Sequence, residues 1–408
     1  LNTSWHIAKH ISGGSKESFS RFIVTIAIAA NALSIAIMVI AICMVSGFTK
    51  EIREKVFGFW GHVQIRHFQN NDSYEEKPII QSAKLYSDLS AIPGISNVAP
   101  YINKACIVRT KTAMEGIVVK GVDHQYDWHF LGSYIKEGRV PGITRDSVSR
   151  DILISVNTAR RLEVGVEDAL IVYFLPKDGG RPMGRRFGIS GLYHTGLEEY
   201  DLRYALADMR VLQELNNWDT SMVGGYEVKI KNIRQLNQMT EEIYQNIDPE
   251  LNAESIREAQ PNIFDWLDLQ VRTEIFALIL MLLVALLNMT TALLILILDR
   301  TRMIGILKAL GAGNNLIRSI FLYNALIILG IGLTIGNALG LGICWLQQQT
   351  GFIKLDESSY YFSEAPVYFD WLPVLGINLL TIVITLLVLI LPSMLISKVS
   401  PLKAIRYD

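Results

Sequence analysis

The chain has 408 residues, 50% of them hydrophobic and 19% charged, with a formal net charge of -1. Its basic residues form no large block, so a nucleic acid finds no surface to bind. Cys43, Cys106 and Cys344 include no CxxC pair, which argues against a disulfide framework and leaves the redox compartment open.

In residues 1–20, Leu1, Trp5, Ala8 and Ile11 recur near helical spacing. An interfacial helix lying on the membrane is expected there, a frayed terminus being the plainer alternative. The uncharged stretch Phe22–Gly47 predicts a transmembrane helix over 21–47. It is long for a signal peptide and no small-residue cleavage site follows, so an uncleaved anchor is expected. Residues 48–274 have mixed composition and predict an inserted α+β domain. Strands are expected over His62–His67, Ile107–Arg109, Gly116–Val119, Asp151–Ser155, Ala169–Leu175, Phe187–Tyr193 and Tyr226–Ile230. Helices are expected over Glu51–Phe59, Ile79–Ser90, Asn157–Leu162, Leu202–Asn216 and Ile233–Ile247. A small β part is expected near 165–195. Three further spans are read at 275–298, 319–346 and 371–397, separated by a helical connection at 299–318 and a loop at 347–370, with a tail at 398–408. The fold class is thus a four-helix transmembrane domain carrying a large inserted α+β extracytoplasmic domain.

Orientation follows from charge beside the spans. Arg300, Arg302, Lys308 and Arg318 lie between the second and third, and Lys398, Lys403 and Arg406 follow the fourth. Placing these in the cytoplasm puts 48–274 and 347–370 outside. Lys50, Arg53 and Lys55 oppose that choice, so the leader alone does not decide it.

Catalytic motifs are missing: there is no HExxH, no GxSxG and no GxxxxGK[ST]. Gly311-Ala312-Gly313 lacks the lysine that reaches a nucleotide phosphate, so this chain is expected to bind no cofactor and to rely on a partner for ATP hydrolysis. His62 and His67, like His124 and His129, are five apart, poor spacing for two ligands on one face. Each reads as a surface or satisfied core residue. No ionisable side chain stands in mid-span, which disfavours a proton-driven carrier and favours an apolar cargo or force transmission.

Three segments invite a functional reading. Asp299–Ala312 reads as a short helix ended by glycine, with Met303, Ile306, Leu307 and Leu310 on an apolar stripe and Arg302 and Lys308 beside it. Such a stripe docks into a partner's groove, or it rests on lipid headgroups; composition favours neither. Gly332, Gly336 and Gly340, four apart in the third span, form a close-packing face for another span of this chain or of a second copy. Pro176–Arg186 carries Arg181, Pro182, Met183 and Arg185 in a basic, turn-rich connection. It suits a protruding partner-binding hairpin, and an ordinary solvated loop explains it as economically.

The run Ile304-Gly305-Ile306-Leu307-Lys308-Ala309-Leu310-Gly311-Ala312, with the tail Pro401–Tyr407, resembles the coupling-helix region of FtsX-like, MacB-like type VII ABC permeases. That family often has an acidic residue before the Ile-Gly pair, where this chain has Met303. Ile7–His10, Gly47-Phe48, Gly61–Ile65 and Gly191-Leu192-Tyr193 through Glu199-Tyr200-Asp201 resemble the lipoprotein-releasing, Lol-type permeases. The resemblance covers essentially the whole chain. It implies a non-catalytic subunit of the bacterial inner membrane, paired with an ABC ATPase dimer that binds ATP and Mg and with a second permease copy or paralogue. It implies a triacylated lipoprotein cargo drawn from membrane lipid and handed to a periplasmic lipoprotein carrier. ATPase coupling falls to Arg302, Met303, Ile306, Leu307, Lys308 and Leu310. Arg181, Pro182, Met183 and Arg185 stand where that family has its carrier-binding hook. The alternative is a related permease for efflux or transmembrane force transmission.

Overall fold

The computed structural model describes residues 19–69, 76–111, 113–174, 181–356 and 360–394. The expected interfacial helix, the part of the connection Pro176–Arg186 before Arg181, and the C-terminal tail lie outside these residues. Two compact units are present: Leu1–Lys50, Trp266–Lys354 and Glu364–Asp408 make one, Glu51–Asp265 and Leu355–Ser363 the other.

The first unit is helical. Its spans come from the helices Phe19–Trp60, Pro261–Asp299, Asn314–Thr350 and Trp371–Ser393. Among the described residues these four are long and apolar enough to cross a membrane. The third ends at Gly351, whose φ of 57° suits glycine. The fourth starts at Asp370, whose carboxylate accepts the Leu372 N–H at 3.3 Å.

Lipid is as apolar as leucine, so burying apolar side chains between spans gains little transfer energy; close fit and polar contacts must hold them. Both are present. Gly332, Gly336 and Gly340 face the first span: a Cβ at 336 would sit 2.6 Å from the Ala32 carbonyl oxygen, and one at 340 would sit 2.9 Å from that of Ala36. Asn337 donates to Asn378 Oδ1 at 2.9 Å, and Asn378 donates back to Asn337 Oδ1 at 3.0 Å, joining the third and fourth spans. Two apolar clusters fill the space between spans. One gathers Ala27, Leu293, Ile304, Phe321 and Leu389; the other Ile35, Val39, Leu333, Val374 and Ile377.

The second unit is built on a ten-stranded mixed sheet. Its strands are β1 (Val63–His67), β3 (Ile95–Arg109), β4 (Met114–Val122), β5 (Ile135–Gly138), β6 (Asp151–Ser155), β7 (Ala169–Phe174), β8 (Met183–Tyr193), β9 (Tyr204–Asp208), β11 (Gly225–Ile230) and β12 (Leu251–Ser255). The order is β12-β1-β11-β3-β4-β9-β6-β8-β5, and β7 pairs with both β3 and β8. The short β2 (Ile79–Ile80) and β10 (Met222–Val223) pair apart from it.

Two sequence expectations are corrected. The helix expected over Leu202–Asn216 is instead a helix Glu198–Arg203, the strand β9 and a helix Met209–Leu215. All five β9 residues are buried, between β4 in parallel and β6 in antiparallel, and that burial overrides the helix preference of Ala205, Leu206 and Ala207. The helix expected from Ile79 starts at Ala83, because the Ser82 hydroxyl caps it, while Ile79–Ile80 pairs as a strand.

A buried lysine fastens residues 51–60 into this unit. Lys120, on β4, donates to the Phe59 carbonyl at 2.6 Å and pairs with Glu227, on β11, at 2.6 Å. Its ammonium also lies 4.9 Å from the Phe59 ring centroid and 4.8 Å from that of Trp60. Burial pushes the lysine down and the carboxylate up from their ordinary ranges, and each opposes that shift in the other.

Candidate coupling helix and partner-binding surfaces

Between the second and third spans the chain folds as the helix Thr301–Ala309. Ile304 has no solvent exposure and packs with Leu296, Ile297, Ile317 and Phe321; Met303 and Leu307 are half-buried against the same cluster. Helical geometry turns the remaining apolar residues the other way. Ile306 is 47% exposed and Leu310 79% exposed, beside exposed Arg302 and half-buried Lys308. The helix ends in a left-handed turn: Gly311 has φ 90°, and the Ala312 N–H returns to the Leu307 carbonyl at 2.9 Å. The residues read from sequence as one stripe therefore divide in two. Met303 and Leu307 anchor the helix to the spans, while Ile306 and Leu310 stand out with Arg302. Ile304 is the most deeply buried of the anchoring residues; the sequence named it only in the motif and not on the stripe, although its spacing of three from Leu307 offered the signal.

The hairpin β7–β8 has Phe174 opposite Met183 as its last pair. Arg181 and Pro182 are exposed beyond that pair, and Met183 is half-buried. Arg185 stands opposite Val172, and its guanidinium bonds Glu214 at 3.0 Å. The four residues are neighbours at one end of the hairpin, but Arg185 is already engaged by the domain beneath it.

His62 and the aspartates beside His124 and His129 have local structural partners. His62 Nδ1 accepts the Ile230 N–H at 3.1 Å and its ring stacks on Phe57. Asp123 accepts the Gln125 N–H, and Asp127 accepts the His129 N–H while pairing with Lys229 at 2.8 Å. No group of three or more His, Cys, Asp or Glu among the described residues is placed to hold a metal ion.

Residues 275–401 match the model of the FtsX-like permease C-terminal region. The whole chain is similar to the lipoprotein-releasing system transmembrane protein LolC of Xylella fastidiosa strain 9a5c, 22% identical over 98% of this chain and 97% of that one. It is also similar to LolE, a lipoprotein-releasing system transmembrane protein of Haemophilus influenzae, 22% identical over 98% of each. Among solved structures, the periplasmic region of MacB from Actinobacillus actinomycetemcomitans matches 49% of this chain and 91% of its own, at 13% identity and a TM-score of 0.34.

Four apolar spans and a large extracytoplasmic, periplasmic α+β domain define a multi-pass membrane protein of the permease type. More particularly, residues 275–401 carry an FtsX-like permease C-terminal region, and the chain is similar from end to end to transmembrane proteins of lipoprotein-releasing systems. The FtsX-like region fits a permease subunit of an ABC transporter, which works with a separate ATPase using ATP and Mg.

Proposed function

We propose that this permease releases lipoproteins from the inner membrane, driven by a partner ATPase dimer that docks on the helix Thr301–Ala309. The carrying observation is the division of that helix: Ile304 is sunk among the spans while Ile306 and Leu310 stand exposed. A short rod anchored on one face and open on the other suits force transfer from a groove in the ATPase. The cargo assignment is supported by relatives named lipoprotein-releasing system transmembrane proteins, which align over 97% or more of their length. It is also supported by the uncharged spans, which suit acyl chains. Drawing out a lipid anchor costs about 0.8 kcal/mol per CH₂, which calls for an external energy source. In this reading a second permease copy or paralogue completes the membrane part. Arg181, Pro182, Met183 and Arg185 meet the periplasmic carrier, Met183 offering the apolar contact.

A second reading, efflux or transmembrane force transmission by a related permease, rests on the match of residues 275–401, a membrane region either task needs.

The test is reconstitution with the cognate ATPase, a labelled triacylated lipoprotein and a candidate carrier. Leu310→Asp is expected to lower permease-stimulated ATP hydrolysis about tenfold, the cost of one apolar anchor. Met183→Asp is expected to abolish transfer to the carrier while hydrolysis continues. Transfer that survives Met183→Asp removes the hook role, and a wild-type complex that hydrolyses ATP without any transfer favours the second reading.

A further inference from the structure

In the extracytoplasmic unit a cleft of about 320 Å³ is lined by Asn157, Arg160 and Arg161 of the helix Val156–Leu162 and by the segment from His194 to Leu202. Its floor is rigidly built. The fully buried Asp201 carboxylate accepts the Thr195 hydroxyl at 2.7 Å and the Gly196 N–H at 3.0 Å, and lies 3.0 Å from His194 Nδ1. That approach sets the imidazole beside the buried carboxylate. Above the floor the charges are of both signs. Arg160 and Arg161 are exposed, and Arg161 lies 3.7 Å from Glu115. Glu198 opens the short helix Glu198–Arg203. Arg160 and Glu198 line the same cleft, yet among the described residues neither enters an ion pair.

Opposite charges that share a cleft without neutralising each other suit a ligand that carries both. A bare polyanion would be repelled by Glu198, and a simple amine by the two guanidinium groups. The volume is at the low end for small-molecule sites, which run from about 300 Å³, so it holds a headgroup-sized molecule. We propose that this cleft binds a small zwitterion, its oxyanion held by Arg160, Arg161 and His194 and its ammonium group by Glu198. Guanidinium forks recognise phosphate or carboxylate oxygens in this way. Phosphoethanolamine has this chemistry, either as the headgroup of a phospholipid or as the free phosphomonoester.

The test is calorimetric titration of the full chain in detergent with phosphoethanolamine, inorganic phosphate and ethanolamine. Phosphoethanolamine is expected to saturate one site and to bind more tightly than either fragment. Arg160→Ala should weaken phosphoethanolamine and phosphate alike by about tenfold, the worth of one charge-assisted hydrogen bond. Glu198→Gln should weaken phosphoethanolamine by a similar factor while strengthening phosphate. Unchanged circular dichroism of both variants assigns these losses to the site. Absence of saturable binding, phosphate held as tightly as phosphoethanolamine, or affinity indifferent to both substitutions would each overturn the proposal. Repeating the titration in nanodiscs separates the sources: lower apparent affinity in phosphatidylethanolamine than in phosphatidylglycerol assigns the site to the lipid headgroup, and equal affinity to the soluble molecule. ATP hydrolysis enters none of these readouts, so this result stands apart from the transport assignment.

Discussion

Lys120 has no solvent exposure, and a lone buried ammonium would be too costly to keep; the Glu227 carboxylate and the Phe59 carbonyl make it tolerable. Removing one partner leaves the other charge buried and unmatched. Lys120→Met is expected to destabilise the extracytoplasmic unit by about 3–5 kcal/mol, whereas the double change Lys120→Met with Glu227→Met should recover most of that loss. Thermal unfolding of the detergent-solubilised chain, followed by tryptophan fluorescence, checks both. His62 makes a second prediction at this scale. Burial, helped by the nearby Lys229 ammonium, lowers it from 6.5 to about 4. The unfolded chain therefore binds a proton between those values that the folded chain refuses. Stability from this group is present above pH 6.5 and is lost as pH falls toward about 4. The rise in unfolding midpoint between about pH 5 and about pH 7.5 should be smaller in His62→Gln than in the wild type.

Elements differ in how plainly the sequence announces them. The spans were legible because runs such as Phe22–Gly47 carry no charge for longer than a bilayer is thick. The strand β9 was not, because a strand buried on both faces shows no alternation and its Ala-Leu-Ala sequence reads as helix. The connecting helix was legible as an element, but which side faces the spans was hidden, since Ile304 and Ile306 look alike until a neighbour covers one. The zwitterion cleft was invisible for a different reason: Arg160 lies more than thirty residues before His194 and Glu198, and they meet only in the fold. The glycine face of the third span supplies the prediction here. Gly336→Val would push a side chain into the Ala32 carbonyl and Ile35, and should cost about 1–3 kcal/mol. Gly342→Val meets nothing within 4 Å and serves as the control. The ladder of unfolding midpoints for the two variants is the check. For the Asn337–Asn378 bridge, a double-mutant cycle with alanine is expected to return a coupling of about 0.6–1.7 kcal/mol.

For the whole molecule, the proposed transport cycle asks that a cytoplasmic event alter an external domain, so variants at the two ends should separate. Changes at Leu310 should reduce ATP hydrolysis and transfer together, and changes at Met183 transfer alone; side-by-side assays of both quantities read that pattern. The order of the sheet also bears on how the protein is made. β1 lies between β11 and β12, so the strand nearest the first span finds its neighbours only when residues 225–230 and 251–255 have emerged. At roughly 5–20 residues per second that wait lasts about ten to forty seconds. For that time an unpaired strand, with Val63 and Ile65 uncovered, hangs beside the translocation pore with both edges open, a target for proteases and a natural client for chaperones outside the membrane. Nascent chains released before β11 should be cleaved near Val63–His67, and chains released just after β12 should resist. The interval between first and last strand, set by topology alone, is the period in which the newborn permease is most easily lost.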